Sequence, residues 1–435
     1  MSIQTIDKSS LAERVISTFD TVSKQNAVVT AVRLEALTRF ETLGFPSIKN
    51  EEWKYTNLKP VVNQDFVPNA VGNISAEQLQ DSIIPTEKAS ILVFVNGAYQ
   101  PALSVLTQEA EGIVVTTFKE ALNKYPEIVE AHFAKYADFQ KDALTAMNTA
   151  FAEDGVFAYV PDKKVLEAPV YVYFISDSQQ VAPLSQLRNL IVAGRSSQAK
   201  FVTAFHTIGE LHSFTNVVTE IVVGENASVE HYILQNEAEQ AYIVGTTQAQ
   251  LARDCHFTSH TVSLNGALIR NNLNMVLAGS NIDAHMYGLY LLNGNCHVDN
   301  HTLADHQQPN SFSNELYKGI LDGKSTGVFN GKIYVKPDAQ KTNAFQSNRN
   351  LVLSKDAAMN TKPQLEIFAD DVKCSHGATV GQLDDEMLFY LRSRGIGFES
   401  ARALLMRAFA DDVLQNMTLE NVHAHVDRWI AGRFL

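Results

Sequence analysis

A chain of 435 residues is longer than one ordinary core takes, so two or three domains are expected. Hydrophobic residues at 45% and charged residues at 19% exclude a disordered chain, and a formal net charge of −13 disfavours duplex nucleic acid or an anionic membrane as a general partner. The three cysteines are odd in number and far apart, which excludes a disulfide framework; with no leader-type start in MSIQTIDKSSLAERVISTF and no apolar run of spanning length, the sequence reads as a soluble cytoplasmic protein.

Residues 9–43 carry two helical patterns. Leu11, Val15, Phe19 and Val22 mark the first and Val29, Val32, Leu37 and Phe40 the second, with Gly44-Phe45-Pro46 as the stop. Glu51-Glu52-Trp53-Lys54-Tyr55-Thr56 follows and reads as a loop pinned by its indole. Ser90–Val95 is a strand, and Asn96-Gly97 is a hairpin-type turn into Ala98-Tyr99. Helical patterns return from Phe118 to Ala152, broken at Pro126. Residues 1–155 are therefore expected to form a mixed, mostly helical N-terminal domain.

From Val156 the helical period disappears and strand-sized pieces recur. Ile191-Val192-Ala193-Gly194 is echoed thirty residues on by Ile221-Val222-Val223-Gly224, and more loosely by Val276-Leu277-Ala278-Gly279 and Leu351-Val352-Leu353-Ser354. Ala199, Ala227 and Ile282 open the strands that follow three of them. Such a repeat predicts coils stacked into a β-helix over 156–381, with a β-sandwich or two small β domains as the alternative. A solenoid has two open ends. The N-terminal domain can cover one, and the C-terminal helices or a partner the other.

The run from Tyr317 to Gly381 is densest in signal. Its short β-branched pieces are separated by Gly, Asn, Asp and Ser, and it closes on Asp370, Asp371, Cys374 and His376. On one continuous strand Asp370, Val372, Cys374 and His376 share a face. Cys374 and His376 are then either a metal or cluster pair, or a packed thiol beside a satisfied imidazole. One thiolate cannot hold an iron–sulfur cluster alone, so a cluster would need ligands from a second chain. Cys255 and Cys296 also adjoin histidines, but on a strand each pair points to opposite faces, so both cysteines read as small buried hydrophobes. His297-Val298-Asp299-Asn300-His301-Thr302-Leu303-Ala304-Asp305-His306 is rich in ligand types; as a helix it would put His297 and His301 on one face, as a strand His297, Asp299 and His301, and it reads as polar turns and ladders on solenoid coils.

After Gly381 helices resume over 382–435. Asp384–Arg394 is one, ended by Gly395 and Gly397. Ala401, Leu404, Leu405, Ala408, Phe409 and Val413 mark a second. Leu419, Val422, Val426 and Ile430 mark a third, with Thr418 as its expected cap. Phe389 and Tyr390 lie in the first, and the surplus apolar surface is either internal packing or a docking face. Gly319-Ile320-Leu321-Asp322-Gly323-Lys324-Ser325 is one residue short of a phosphate-binding loop and no helical pattern follows it, so hydrolysis of a nucleotide by this chain alone is not expected. No Gly-x-Ser-x-Gly, His-Glu-x-x-His or Cys-x-x-Cys occurs.

Asp299-Asn300-His301-Thr302 with Asp305-His306, Tyr317-Lys318-Gly319-Ile320-Leu321, Gly331–Val335, Gln340–Ala344 and Cys374-Ser375-His376-Gly377-Ala378-Thr379-Val380-Gly381 resemble the SufB/SufD family, the non-ATPase scaffold subunits of SUF iron–sulfur cluster assembly. The Cys374-x-His376 form and Glu51–Thr56 are similar to the SufD branch. Where the SufB branch carries a cysteine, this chain has Ser347-Asn348-Arg349-Asn350.

The resemblance implies a right-handed parallel β-helix between an N-terminal mostly helical α/β domain and a C-terminal helical domain. It implies a complex with a cysteine-richer SufB-type paralogue and two copies of a SufC-type ABC ATPase, and a homodimer is conceivable for the chain alone. The ATPase would dock on the helices after Gly381, where Phe389, Tyr390, Leu404, Leu405 and Phe409 are the candidate contacts. A transient iron–sulfur cluster would form where two β-helices meet, with Cys374 and His376 as this chain's candidate ligands and nothing bound tightly by this chain alone. Two other readings stay open: a β-helix carbohydrate lyase or hydrolase, and a purely structural solenoid.

Overall fold

In the computed structural model, residues 10–434 are described, apart from Ser23, Gln25, Gln108 and Glu109. The segment 1–9, which carries part of the leaderless reading and the start of the first helical pattern, lies outside the described residues.

Two long sheets face each other. In spatial order the first holds Val114–Thr117, Val156–Val160, Pro183–Ala193, Ser213–Val223, Ala241–Leu251, Leu268–Leu277, His297–His306, Thr326–Val335 and Ala358–Ile367. The second holds Ala98–Tyr99, Ile91–Val95, Val170–Ser178, Gln198–Gly209, Ser228–Asn236, His256–Asn265, Asp283–Leu292, Phe312–Leu321, Asn343–Val352 and Lys373–Gly381. From Val156–Val160 on, consecutive strands alternate between the sheets. From Val170 on, every pairing between named strands is parallel. This is the β-solenoid, of about eight turns, and its uniformly parallel ladders exclude the sandwich.

The register explains the repeat. Ile191 pairs with Ile221 and Ala193 with Val223, so the first two anchors are stacked edges of adjacent coils. Val276-Leu277 falls in the same sheet, but Leu351-Val352 belongs to the other sheet. That fourth echo reflects a shared inward alternation, not an equivalent position.

One corner of the coil repeats more strictly than any strand. Lys163, Ser196, Asn226, Asp254, Asn281, Asn310 and Lys341 each take a left-handed conformation, with φ between 56° and 65°. Each backbone N–H donates to a carbonyl one coil further on, from Lys163 to Arg195 O (2.7 Å) through to Lys341 to Asp371 O (2.5 Å). Asn and Asp tolerate this conformation best, which accounts for their recurrence at the corner.

The helical pieces lie along the flanks. Helices Ala27–Leu43 and Ala143–Phe151 pack with Trp53 and Phe66 on Leu184, Phe214, Tyr242 and Leu268, on the outer face of the first sheet. Helices Phe398–Leu414 and Glu420–Phe434 cover the outer face of the second through Met406, Val413, Val422 and Val426 on Tyr232, Val262 and Leu289. Thr418, the expected cap of the last helix, turns its side chain to the solenoid. Its hydroxyl donates to Glu230 Oε2 at 2.6 Å and its N–H to Tyr232 Oη at 3.0 Å, tying the last helix to the solenoid.

The two ends differ. At the first, Val114–Thr117 and Ala98–Tyr99 close the sheets with antiparallel strands, and Asn96-Gly97 is the hairpin turn between Phe94 and Tyr99. At the other, Ala358–Ile367 and Lys373–Gly381 each pair on one side only. The C-terminal helices flank the solenoid and leave this coil uncovered.

The open coil as candidate functional site

Cys374 and His376 stand on the second of these edge strands. The strand begins at Lys373, so the expected four-residue row is shorter: Asp370 and Asp371 lie in the preceding bend. The partner of Cys374 is Ala344 and that of His376 is Gln346, both buried inner-row residues. Cys374 and His376 therefore continue the row that fills the solenoid interior, at the level where no further coil covers it. The small Ala344 lets the thiol pack half-buried against the interior cluster, while His376 is exposed. Burial pushes the Cys374 thiol up, opposed by a hydrogen bond at the Ala344 backbone. The protonated thiol is thus favoured until a metal or cation supplies positive charge.

Beneath them the interior turns polar. Glu315, Tyr317 and Gly319 are the inner row of Phe312–Leu321, and Gln346, Asn348 and Asn350 that of Asn343–Val352. Tyr290 Oη donates to Asn350 Oδ1 and accepts from Asn348 Nδ2 at 3.0 Å. A Cβ on Gly319 would lie 2.1 Å from the Tyr290 ring, and one on Gly288 2.1 Å from the Tyr317 ring, so these glycines are sockets for the two phenols. The motif Tyr317-Lys318-Gly319 is thereby explained. Its Tyr and Gly build the interior, and its Lys faces outward to Asp412 Oδ2 at 2.5 Å and over the Phe409 ring at 4.1 Å. Burial pushes the Glu315 carboxyl up to about 7.

The ligand-rich stretch has a different use. His297, Asp299 and His301 share the outward face of their strand, and Glu51–Thr56 lies across it. Thr56 Oγ1 donates to Asp299 Oδ2 at 2.5 Å, so His297 Nε2, 2.9 Å away, is the donor to that hydroxyl. Arg270 bonds Asp299 Oδ2 at 2.8 Å and lies 4.0 Å from the centre of the Trp53 ring. His301 bridges Asp299 (3.0 Å) and Glu52 (3.3 Å), and Glu51 meets Lys362 of the last coil at 2.7 Å. Burial works against ionisation of Asp299, but Arg270 and His301 hold it well below the ordinary carboxylate range. The loop pinned by its indole is a strap from the N-terminal region to the open coil.

Cys255 and Cys296 are both buried, and burial pushes the Cys255 thiol up to about 12, so Cys255 offers no ready thiolate. Asp322-Gly323-Lys324-Ser325 is a turn leading into the strand Thr326–Val335, with Asp322 paired to Arg402 at 2.8 Å. The docking candidates divide. Phe389 (73%), Tyr390 and Leu404 are exposed, Leu405 is half-buried, and Phe409 is half-buried against the solenoid. Glu315, Gln346 and Arg270 are site-forming residues that sequence reading did not single out. Alternation counted outward from Tyr317 places Glu315 inside, and that parity was the available signal.

Among the described residues, no group of three or more His, Cys, Asp and Glu is placed to hold a metal ion, and no helix is long and apolar enough to cross a membrane. Fold and site thus define a β-solenoid protein that presents Cys374 and His376 side by side on an open coil edge. The chain belongs to the SufBD family. The family model for the SUF system FeS cluster assembly SufBD core domain matches residues 174–409, and that for the SufBD protein N-terminal region matches residues 17–172. It is similar to the iron–sulfur cluster assembly protein SufD of Escherichia coli, at 32% identity over 88% of each chain. It is also similar to a SufBD family iron–sulfur cluster assembly protein of Synechocystis, at 30% identity over 94% of this chain and 92% of the relative. The SufD of Bacillus subtilis is 27% identical over 95% of this chain and 96% of its own.

Proposed function

We infer that this chain is a SufD-type subunit that completes an iron–sulfur assembly site together with a second solenoid of the SufB type, in the cytosol. The observation that carries the reading is the open coil. Two ligand-type residues, Cys374 and His376, stand on an unpaired parallel edge, and among the described residues no group of three or more His, Cys, Asp and Glu is placed to hold a metal ion. The nascent cluster is cargo held between chains, with the remaining ligands coming from the partner.

The edges themselves support a seam. Ala358–Ile367 carries Lys362, Pro363 and Glu366, the residue types that discourage edge pairing, whereas Lys373–Gly381 has one lysine at its start and no proline or acid. A second solenoid would pair along Lys373–Gly381 and bring its own inner row opposite Cys374 and His376. The exposed face of Phe389, Tyr390 and Leu404 is the proposed dock for a SufC-type ATPase, and ATP hydrolysis belongs to that chain. Closure of two such ATPases would shift the flanking helices and change the seam, which requires two defined states of the complex.

The test is anaerobic co-expression with SufB-type and SufC-type chains, followed by co-purification and an absorption spectrum after iron and sulfide are supplied. A stable complex with cluster bands is expected. A chain that purifies apart from both partners contradicts the reading.

A further inference from the structure

Glu315, Gln346 and His376 are successive partners down one inner column, and His376 is the member at the open end. Glu315 is 2% exposed, and it forms no ion pair among the described residues; the neighbouring Lys318 pairs with Asp412 instead. It accepts from Thr302 Oγ1 on one oxygen and from Gln346 Nε2 on the other, the latter at 2.7 Å. Gly331 lies beside the same amide, since a Cβ there would stand 2.4 Å from Gln346 Nε2.

The other end of that amide is unsatisfied. Gln346 is 3% exposed and its Oε1 has no hydrogen-bond partner. A buried acceptor without a donor is costly, and a glutamine ordinarily turns its amide over to avoid one. With Glu315 ionised, as it is above the value of about 7 to which burial pushes it, turning over would set the amide carbonyl against a carboxylate oxygen. Glu315 therefore fixes which end of Gln346 is left free, and the next side chain along the column is the His376 imidazole.

We propose that Gln346 Oε1 is the positioning acceptor for His376: the two make no hydrogen bond with the imidazole exposed as it stands here, and on turning over the open end the ring donates one N–H to Oε1 and leaves the other nitrogen with its lone pair available to a metal. Glu315 acts through Gln346 by holding the amide in this sense. An imidazole with one nitrogen bonded to a protein acceptor has a defined tautomer and direction, which is how outer residues prepare histidine ligands elsewhere. The inference rests on the ligand role proposed above for His376, but it is tested without iron or sulfide.

The experiment is a long-range ¹⁵N–¹H correlation spectrum of the full chain labelled at histidine, above about pH 8, where a surface imidazole is neutral. The His376 signals are assigned by their loss in His376→Ala. In the wild type the two ring nitrogens are expected to resolve fully into one protonated and one bare. In Gln346→Leu they should move toward each other as the tautomers average, and in the near-isosteric Glu315→Gln they should move part of the way. Unchanged His376 nitrogen shifts in either variant, with circular dichroism intact, overturn the proposal; if Gln346→Leu does not fold, Glu315→Gln alone decides. A resolved tautomer in a chain whose His376→Ala variant still builds a full cluster in the complex would sink the ligand role and leave the positioning intact.

Discussion

Arg188 and Glu220 form an ion pair at 2.5 Å with both side chains fully buried. The pair joins the solenoid to the N-terminal region. Arg188 also reaches Thr149 at 3.0 Å, and Glu220 accepts the backbone N–H groups of Ala134, Tyr136 and Ala137. Removing one partner leaves an uncompensated buried charge. Arg188→Met is expected to cost about 3–5 kcal/mol of stability in urea unfolding. Arg188→Met with Glu220→Gln should cost less than the sum of the two single changes. Additivity would mean that the two charges do not interact.

A second expectation concerns pH. Burial pushes Glu237 and Glu315 up to about 7, so the folded chain keeps protons that the unfolded chain has lost above about pH 4.5. Their effect is to lower stability as pH rises through that window, with the full cost present above about pH 7. Burial pushes His231, His260, His306 and His425 down to about 4, and their share is lost in the opposite direction, as pH falls from about 6.5. Glu315→Gln should therefore gain on the wild type by on the order of 2–3 kcal/mol between about pH 5 and pH 8. A difference that stays flat over that range would show that Glu315 is ionised throughout.

Gly319 tests the socket. A methyl group there meets the Tyr290 ring at 2.1 Å and Asn350 Oδ1 at 2.6 Å, and both are fixed by the interior network. Gly319→Ala is expected to destabilise by at least about 1–3 kcal/mol through overpacking. Chemical denaturation would read it, and a neutral result would mean that the interior is loose at this level.

The flanking helices separate docking from packing. Leu404 is 49% exposed, so Leu404→Asp should alter stability by no more than about 0.5 kcal/mol while abolishing association with the ATPase chain. Phe409 packs against the solenoid over Lys318, and Phe409→Ala is expected to lower stability by about 1–3 kcal/mol. Pull-down paired with thermal melts distinguishes the two. A Leu404→Asp chain that still binds the ATPase would move the dock elsewhere.

Much of this architecture is legible in the sequence because a solenoid is a local rule repeated. The echo of Ile191–Gly194 at Ile221–Gly224 is a true register pair. The echo at Leu351 misleads because both sheets bury alternate residues, and alternation alone does not say which sheet a strand joins. Asp370 drops out of the expected row because the corner at Lys341 draws on Asp371 O and bends the chain there. That corner was readable in Asn226, Asp254, Asn281 and Asn310, a series that composition obscures because Asn and Asp also mark ordinary turns. The pairing of Glu51–Thr56 with Arg270, His297 and His301 spans more than two hundred residues, and no local pattern points from one to the other.

The most direct test of the seam is anaerobic reconstitution of the co-purified complex with wild-type chain and with His376→Ala. In the proposed seam the strand Lys373–Gly381 pairs through its backbone, which the substitution leaves intact, so the complex should assemble with unchanged stoichiometry. Iron and acid-labile sulfide per complex are expected to fall to the level of a control without sulfide. Wild-type amounts of both in the His376→Ala complex would contradict the account, because the cluster would then be built without the imidazole that the open coil presents.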